Sequence, residues 1–117
     1  MFVDDDPVFL RAACVLLERQ GIDMVAVAST GAEARRYGQE LRPDVVLVDI
    51  GLHGENGFDL ARQLTAGGAH GDPKVILVSN YPADDFRDLI ADSPALSFLS
   101  KADLSGAAIR TILTIPG

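Results

Sequence analysis

The chain has 117 residues, 48% of them hydrophobic and 23% charged, a composition that supports one packed domain spanning 1–117 and excludes a disordered chain. Ten Lys and Arg against seventeen Asp and Glu give a formal net charge of −7, which argues against direct binding to nucleic acid or an anionic membrane surface and favours cations or basic protein surfaces. A single cysteine, Cys14, excludes an internal disulfide and a multi-thiolate metal site. No apolar run approaches the roughly 18 residues of a membrane span and no basic-then-apolar leader follows Met1, so the expected location is cytoplasmic.

In chain order, Phe2-Val3 is an apolar stub, short for a central strand, and Asp6-Pro7 places a capping carboxylate before a proline at the first helical position. Leu10, Ala13, Cys14 and Leu17 then recur at helical spacing, which assigns Cys14 to inert packing. Met24 to Ala28 forms a short apolar run, and Thr30-Gly-Ala-Glu33 has capping-box spacing ahead of Ala34, Tyr37 and Leu41. Val45 to Val48 is a third strand, followed by a helix marked by Leu60, Ala61 and Leu64. The glycine-rich stretch from Ala66 to Pro73 reads as a flexible connector within the domain. Val75 to Val78 is the fourth strand, and Phe86, Leu89 and Ile90 mark the fourth helix. Ala95 to Leu99 is the fifth strand, and Asp103 is placed to cap a last helix carrying Ile109, Ile112 and Leu113. Valine-rich runs without strict alternation suit strands covered on both faces. Their alternation with helices predicts a doubly wound α/β domain with a parallel sheet.

Ligands of such sheets bind outside the carboxyl ends of the strands. Here the first strand runs into Asp4-Asp5-Asp6, the third ends at Asp49, the fourth at Ser79 and the fifth at Ser100-Lys101. Two neighbouring strand ends that both carry carboxylates crowd like charges, which is costly unless a cation binds or a pKa rises. Hard oxygen ligands of this kind suit Mg²⁺. An ammonium and a hydroxyl on the same rim can contact phosphoryl oxygens, and a carboxylate can itself be the nucleophile.

Four segments carry a family resemblance: Val3-Asp-Asp-Asp-Pro-Val-Phe9, Pro43-Asp-Val-Val-Leu-Val-Asp-Ile50 with Gly57-Phe58 following, Val75-Ile-Leu-Val-Ser79, and Ser97-Phe-Leu-Ser-Lys-Ala-Asp-Leu104. Over nearly its whole length the chain resembles a response-regulator receiver domain of two-component signalling, and its Ser-Lys-Ala-Asp-Leu run is similar to the subfamily with helix-turn-helix output domains. The resemblance implies a flavodoxin-like (βα)5 fold with strand order 2-1-3-4-5. It implies Asp49 as phosphoacceptor, with Asp4, Asp5, Asp49 and the Gly51 carbonyl holding Mg²⁺ or Mn²⁺. Ser79 and Phe98 become the switch pair and Lys101 the cation that contacts phosphate. The implied partner is a sensor histidine kinase, with a homodimer on phosphorylation as an option and no direct nucleic-acid or membrane binding by this domain. Such a domain is no conventional enzyme: it catalyses its own Mg²⁺-dependent phosphorylation and slow autodephosphorylation, a rate that side chains at the positions of Gly51 and Tyr81 tune. Its output is transcriptional, through an output domain not present in this chain or through a partner. The chain departs from the family at His53, where proline is usual, and at Ala102, where many members have proline.

Other readings of the same residues are weaker. His53 and His70 stand in loops without zinc-ligand spacing, and Gly51, Gly54 and Gly57 match no dinucleotide or phosphate-loop fingerprint. A flavodoxin proper would need a first loop that welcomes a flavin phosphate, which Asp4-Asp5-Asp6 repel. An aspartate-nucleophile phosphatase wants a second acid at the position of Gly51. A degenerate receiver acting as a phosphorylation-independent binding or dimerisation module is the remaining alternative.

Overall fold

The computed structural model describes residues 1–52, 54–66 and 72–114; His53, His70 and the middle of the glycine-rich connector lie outside them. The first half contains β1 (Phe2–Val3), α1 (Pro7–Arg19), β2 (Val27–Ala28), α2 (Gly31–Leu41) and β3 (Val45–Asp49). The second contains α3 (Gly57–Leu64), β4 (Lys74–Ser79), α4 (Arg87–Ala91), β5 (Ser97–Ser100) and α5 (Gly106–Leu113). All strand pairings are parallel and the order is β2-β1-β3-β4-β5, the doubly wound flavodoxin-like arrangement expected.

Period-two alternation splits the valine-rich strands between two cores. Val46, Val48, Val75 and Leu77 pack with Ala34, Phe58, Leu60 and Ala61 on the α2–α3 side. Leu47, Ile76 and Val78 pack with Leu10, Leu17, Ile109 and Ile112 on the α1–α5 side. Both faces of β3 and β4 are thus dry, which is why neither strand alternates with polar residues.

The short β1 keeps more of its ladder than its length suggests. Phe2 N–H donates to Ala26, Asp4 N–H donates to Ala28 and the Met1 carbonyl accepts from Leu47. The acid at the strand end is therefore itself part of the sheet.

Helix starts follow the expected capping chemistry with two differences. Asp6 accepts from the N–H groups of Val8 and Phe9, and Thr30 from Glu33 N–H. The Glu33 carboxylate, however, reaches back to Ser29 N–H and hydroxyl, one residue before the cap, and these bonds hold it below its usual pKa. The cap of α5 is Ser105, accepting from Ala108 N–H, and not Asp103. Asp103 is instead consumed in a 3-10 turn, Lys101–Asp103, and Ser105 has the extended backbone (φ −159°, ψ 161°) that a cap requires.

Three further expectations are adjusted. Of the Met24–Ala28 run only Val27 and Ala28 pair, because β2 is an edge strand whose sole neighbour is the short β1. The fourth helix begins as a 3-10 turn, Ala83–Phe86, and continues for only five residues. Phe86 and Ile90 pack inward while Leu89 is 47% exposed. Cys14 sits at the margin of the α1 stripe, half-buried, and burial pushes its thiol pKa up, with the Glu18 charge adding to the rise. Among the described residues no helix is long and apolar enough to cross a membrane.

Candidate functional site

Sheet register assembles the site. Val3 lies opposite Val48, so the next residues, Asp4 and Asp49, emerge side by side at the carboxyl edge. Asp49 is opposite Val78, one residue before Ser79, and Ser79 is opposite Ser100, one residue before Lys101. Four side chains from distant parts of the chain therefore reach one rim because four neighbouring strands end nearly in step.

Asp4, Asp5 and Asp49 each offer a carboxylate oxygen within 4.8 Å of the others. Asp4 is fully buried, with Oδ1 accepting from Asp6 N–H at 2.9 Å. Its Oδ2 has no hydrogen-bond partner beyond the ion-pair contact with Lys101 Nζ at 2.8 Å. Lys101 Nζ also lies 3.5 Å from Asp49 Oδ2, and Asp49 Oδ1 accepts from Gly51 N–H at 3.2 Å. One ammonium thus serves two buried carboxylates.

The titration of the cluster reflects that imbalance. Burial and then the Asp4 charge push the Asp49 carboxyl above its ordinary value, against the Gly51 N–H and the Lys101 charge, which pull it down. Burial alone would lower Lys101, but the Asp4 hydrogen bond and the charges of Asp49 and Asp4 outweigh it and raise the ammonium's pKa. The all-oxygen donor set, its close spacing and the under-satisfied Asp4 Oδ2 fit a hard divalent cation.

Beside the carboxylates opens a cavity of about 250 Å³ lined by Asp49, Ile50, Gly51, Ser79, Tyr81 and Phe86. Ser79 is buried at the end of β4 and its hydroxyl accepts from Tyr81 N–H at 3.0 Å. A larger hollow of about 390 Å³ lies at the opposite, amino-terminal end of the sheet, among Ile22, Met24, Val45 and Leu113. The smaller one carries the convergent polar groups, and those decide where chemistry can occur.

Phe98, half-buried in β5, stands 6.5 Å from the Phe86 ring, which in turn stands 6.2 Å from Phe58. The row runs from the cavity wall to the last strand. The structure thus brings Asp4, Asp5, Asp49, Lys101 and Ser79 to one end of the sheet, puts Gly51 beside Asp49, and sets Phe98 one ring away from the cavity.

Three residues enter the site without a role read from sequence. Phe86 walls the cavity, although its spacing signalled only an apolar helix face. Phe9 places its ring 4.2 Å from Lys101 Nζ. Gly57 lets α3 start directly beneath the strand end: a Cβ there would stand 2.6 Å from the Asp49 carbonyl oxygen and 2.7 Å from Ile50 Cα. The Gly57 N–H donates to the Ile50 carbonyl.

Comparison with known proteins agrees with this arrangement. A family model described as "Response regulator receiver domain" matches residues 1–112. The transcriptional regulatory protein LiaR of Bacillus subtilis is 32% identical over 114 residues, which cover 94% of this chain and 53% of LiaR. The response regulator GacA of Pseudomonas viridiflava is 31% identical over 102 residues, covering 86% of this chain and 47% of GacA. The chain spans about half the length of these curated relatives. Among solved structures, the BeF3-activated N-terminal receiver domain of Klebsiella pneumoniae RstA superposes with TM-score 0.77 at 29% identity, covering 97% of each chain. The receiver domain of the putative response regulator NarL of Mycobacterium tuberculosis has TM-score 0.82 at 23% identity, covering 97% of this chain and 94% of that one, a likeness of fold.

Proposed function

The chain belongs to the response regulator receiver domain family, and from that premise we propose that it is a phosphorylation-activated switch in which Asp49 accepts a phosphoryl group from a sensor histidine kinase. The observation that carries the reading is the meeting of Asp4, Asp5 and Asp49 with Lys101 at the carboxyl edge of the sheet. Asp4, Asp5, Asp49 and the Gly51 carbonyl would hold Mg²⁺ or Mn²⁺. When bound, the cation supplies positive charge against the carboxylates and the incoming phosphoryl oxygens.

The residues then divide the work. An Asp49 carboxylate oxygen attacks phosphorus as the bond to the donor histidine nitrogen breaks, leaving an acyl phosphate on Asp49. Lys101, tethered by Asp4, is placed to contact a phosphoryl oxygen. The Ser79 hydroxyl, which lines the same cavity as Asp49, donates to another once it turns from its local bond with Tyr81 N–H. That movement vacates space beside Phe86 into which Phe98 turns, altering the face of α4, β5 and α5. Water later hydrolyses the acyl phosphate, and Gly51 and Tyr81, flanking the cavity, are the positions that set access for it.

The chain works as one receiver unit, and by analogy with LiaR, a transcriptional regulatory protein, its output is control of transcription through an attached domain or a partner. Phosphorylation-dependent pairing of two copies is one form that output takes.

The test is intact mass after incubation with Mg²⁺ and acetyl phosphate, beside Asp49→Ala and an EDTA sample. One added phosphoryl group, labile to hydroxylamine and absent from both controls, is the expected result. A folded protein that takes none from acetyl phosphate or from candidate kinases would sink the phosphoacceptor assignment in favour of a binding module.

A further inference from the structure

We propose that Phe9 is the positioning residue for Lys101, its ring holding the ammonium in place between Asp4 and Asp49. The placement stands on geometry; its kinetic consequence rests on the phosphoacceptor reading above.

Phe9 lies in the first turn of α1, whose backbone is fixed by the Asp6 carboxylate accepting from Val8 N–H and Phe9 N–H at 3.1 and 3.2 Å. The ring is fixed in turn by Phe2, a fully buried residue of β1, in an edge-to-face contact with centroids 5.7 Å apart and planes at 81°. From that seat the Phe9 centroid is 4.2 Å from Lys101 Nζ, well inside the range of about 6 Å over which an aromatic face attracts a cation.

Lys101 needs such a seat. Its side chain is only 9% exposed, so water supplies little of what its three N–H donors require. Asp4 takes one side at 2.8 Å and Asp49 a second at 3.5 Å. The Phe9 ring supplies a further contact at 4.2 Å. A lysine stem has many rotamers, and with the ring gone the ammonium is free to leave Asp49 and collapse onto its nearer partner, Asp4. An aliphatic residue would fill the same volume, but it offers no negative face to the cation. Phe9 stands four residues before Ala13 and packs, partly buried, at the edge of the α1–α5 core, so packing alone accounts for an apolar residue here and the test must separate an aromatic from an aliphatic one.

Two readouts separate positioning from packing. In the wild type the Lys101 ε protons should resonate upfield of their ordinary position because of the ring current, an effect lost in Phe9→Leu and kept in Phe9→Tyr. Labelling by acetyl phosphate in Mg²⁺ should slow about five- to tenfold in Phe9→Leu, a scale between an exposed and a fully desolvated cation–π contact, and Phe9→Tyr should restore most of the rate. Melting temperatures of the two variants serve as the packing control. The proposal is overturned if the wild-type ε protons are unshifted, if Phe9→Leu is labelled as fast as wild type, or if Leu and Tyr slow it equally. If the wild type takes no phosphoryl group, the phosphoacceptor reading falls, and the ring-current shift alone decides Phe9: present and lost on Phe9→Leu upholds it, absent overturns it.

Discussion

Replacing Asp49 by asparagine keeps the shape and the oxygen that accepts from Gly51 N–H but removes one charge. At an effective dielectric of about 20, unit charges 4.8 Å apart, the largest separation within the acidic cluster, repel by about 3.5 kcal/mol. Over the 3.5 Å between Lys101 Nζ and Asp49 Oδ2 they attract by about 4.7 kcal/mol on the same scale. Counting Asp4 alone against Lys101, Asp49 thus gains at most about 1 kcal/mol, and Asp5 in the same cluster lowers that further, against a burial cost of several kcal/mol for an ion whose side chain is 11% exposed. Burial therefore wins, in accord with the upward pKa shift. Asp49→Asn should stabilise the metal-free domain by about 1 kcal/mol, or about 4 °C in Tm for a chain of this size. Lys101→Met should do the opposite, because it leaves two buried carboxylates uncompensated. The assay is thermal unfolding in EDTA and again in Mg²⁺, which should raise the wild type and not Asp49→Asn. A drop in Tm for Asp49→Asn in EDTA would refute the electrostatic argument, whatever Mg²⁺ then did.

The pH dependence of that gap has a fixed sign. The folded state raises the Asp49 pKa above its unfolded value, so the ionised carboxylate destabilises the fold at all pH values above the folded pKa. As pH falls through that pKa the native state takes up the proton before the unfolded state does, and the penalty is lost. The stability difference between Asp49→Asn and wild type should therefore be full at neutral pH and shrink on acidification. A gap that widened toward acid would contradict the shift.

Three further outcomes are expected. Gly57→Ala should cost about 1–3 kcal/mol, because its Cβ would meet backbone atoms of Asp49 and Ile50 that cannot give way singly; urea unfolding reads it, and a neutral result would mean the strand end is softer than it looks. Ser105→Ala should cost about 1 kcal/mol and Asp103→Ala close to nothing, since the Ser105 hydroxyl caps α5; the reverse order by the same assay would restore Asp103 as the cap. Amide exchange should be faster over 83–91 than over α1, α3 or α5, because neither the 3-10 turn nor α4 contains a buried residue; equal protection would count against that contrast.

Much of this was legible in the sequence because each apolar run stops at its polar residue. Val45 to Val48 gives way to Asp49 and Val75 to Val78 gives way to Ser79, so the rim follows once the strands are taken as parallel and in step. The Asp6 and Thr30 caps were equally plain, since each is a capping residue at the start of a helical pattern. The α5 cap, expected at Asp103, lies at Ser105, because residue type favours the two alike and only the backbone conformation chooses between them. The length of β2 depends on its neighbour, which no local pattern records. The Phe9–Lys101 contact joins α1 to the end of β5, and periodicity along either element contains no trace of it.

What unites the site is that the fold holds its charges where they are least comfortable. The sheet cannot relieve the crowding by moving Asp4 away from Asp49, because Asp4 N–H is bonded to Ala28 and Ile50 N–H to Val78; both acids are fixed by ladder bonds on either side of the β1–β3 pair. Relief has to come from added positive charge or from movement elsewhere. The elements nearest the cavity that are free to move are the 3-10 turn and α4, which bury no residue completely and attach to the core through partly buried Phe86 and Ile90. Phe86 touches the cavity on one side and Phe98 on the other. A charge change at Asp49 would therefore act on a rigid strand edge and a loosely held segment at once, and the loosely held segment is the one that would shift.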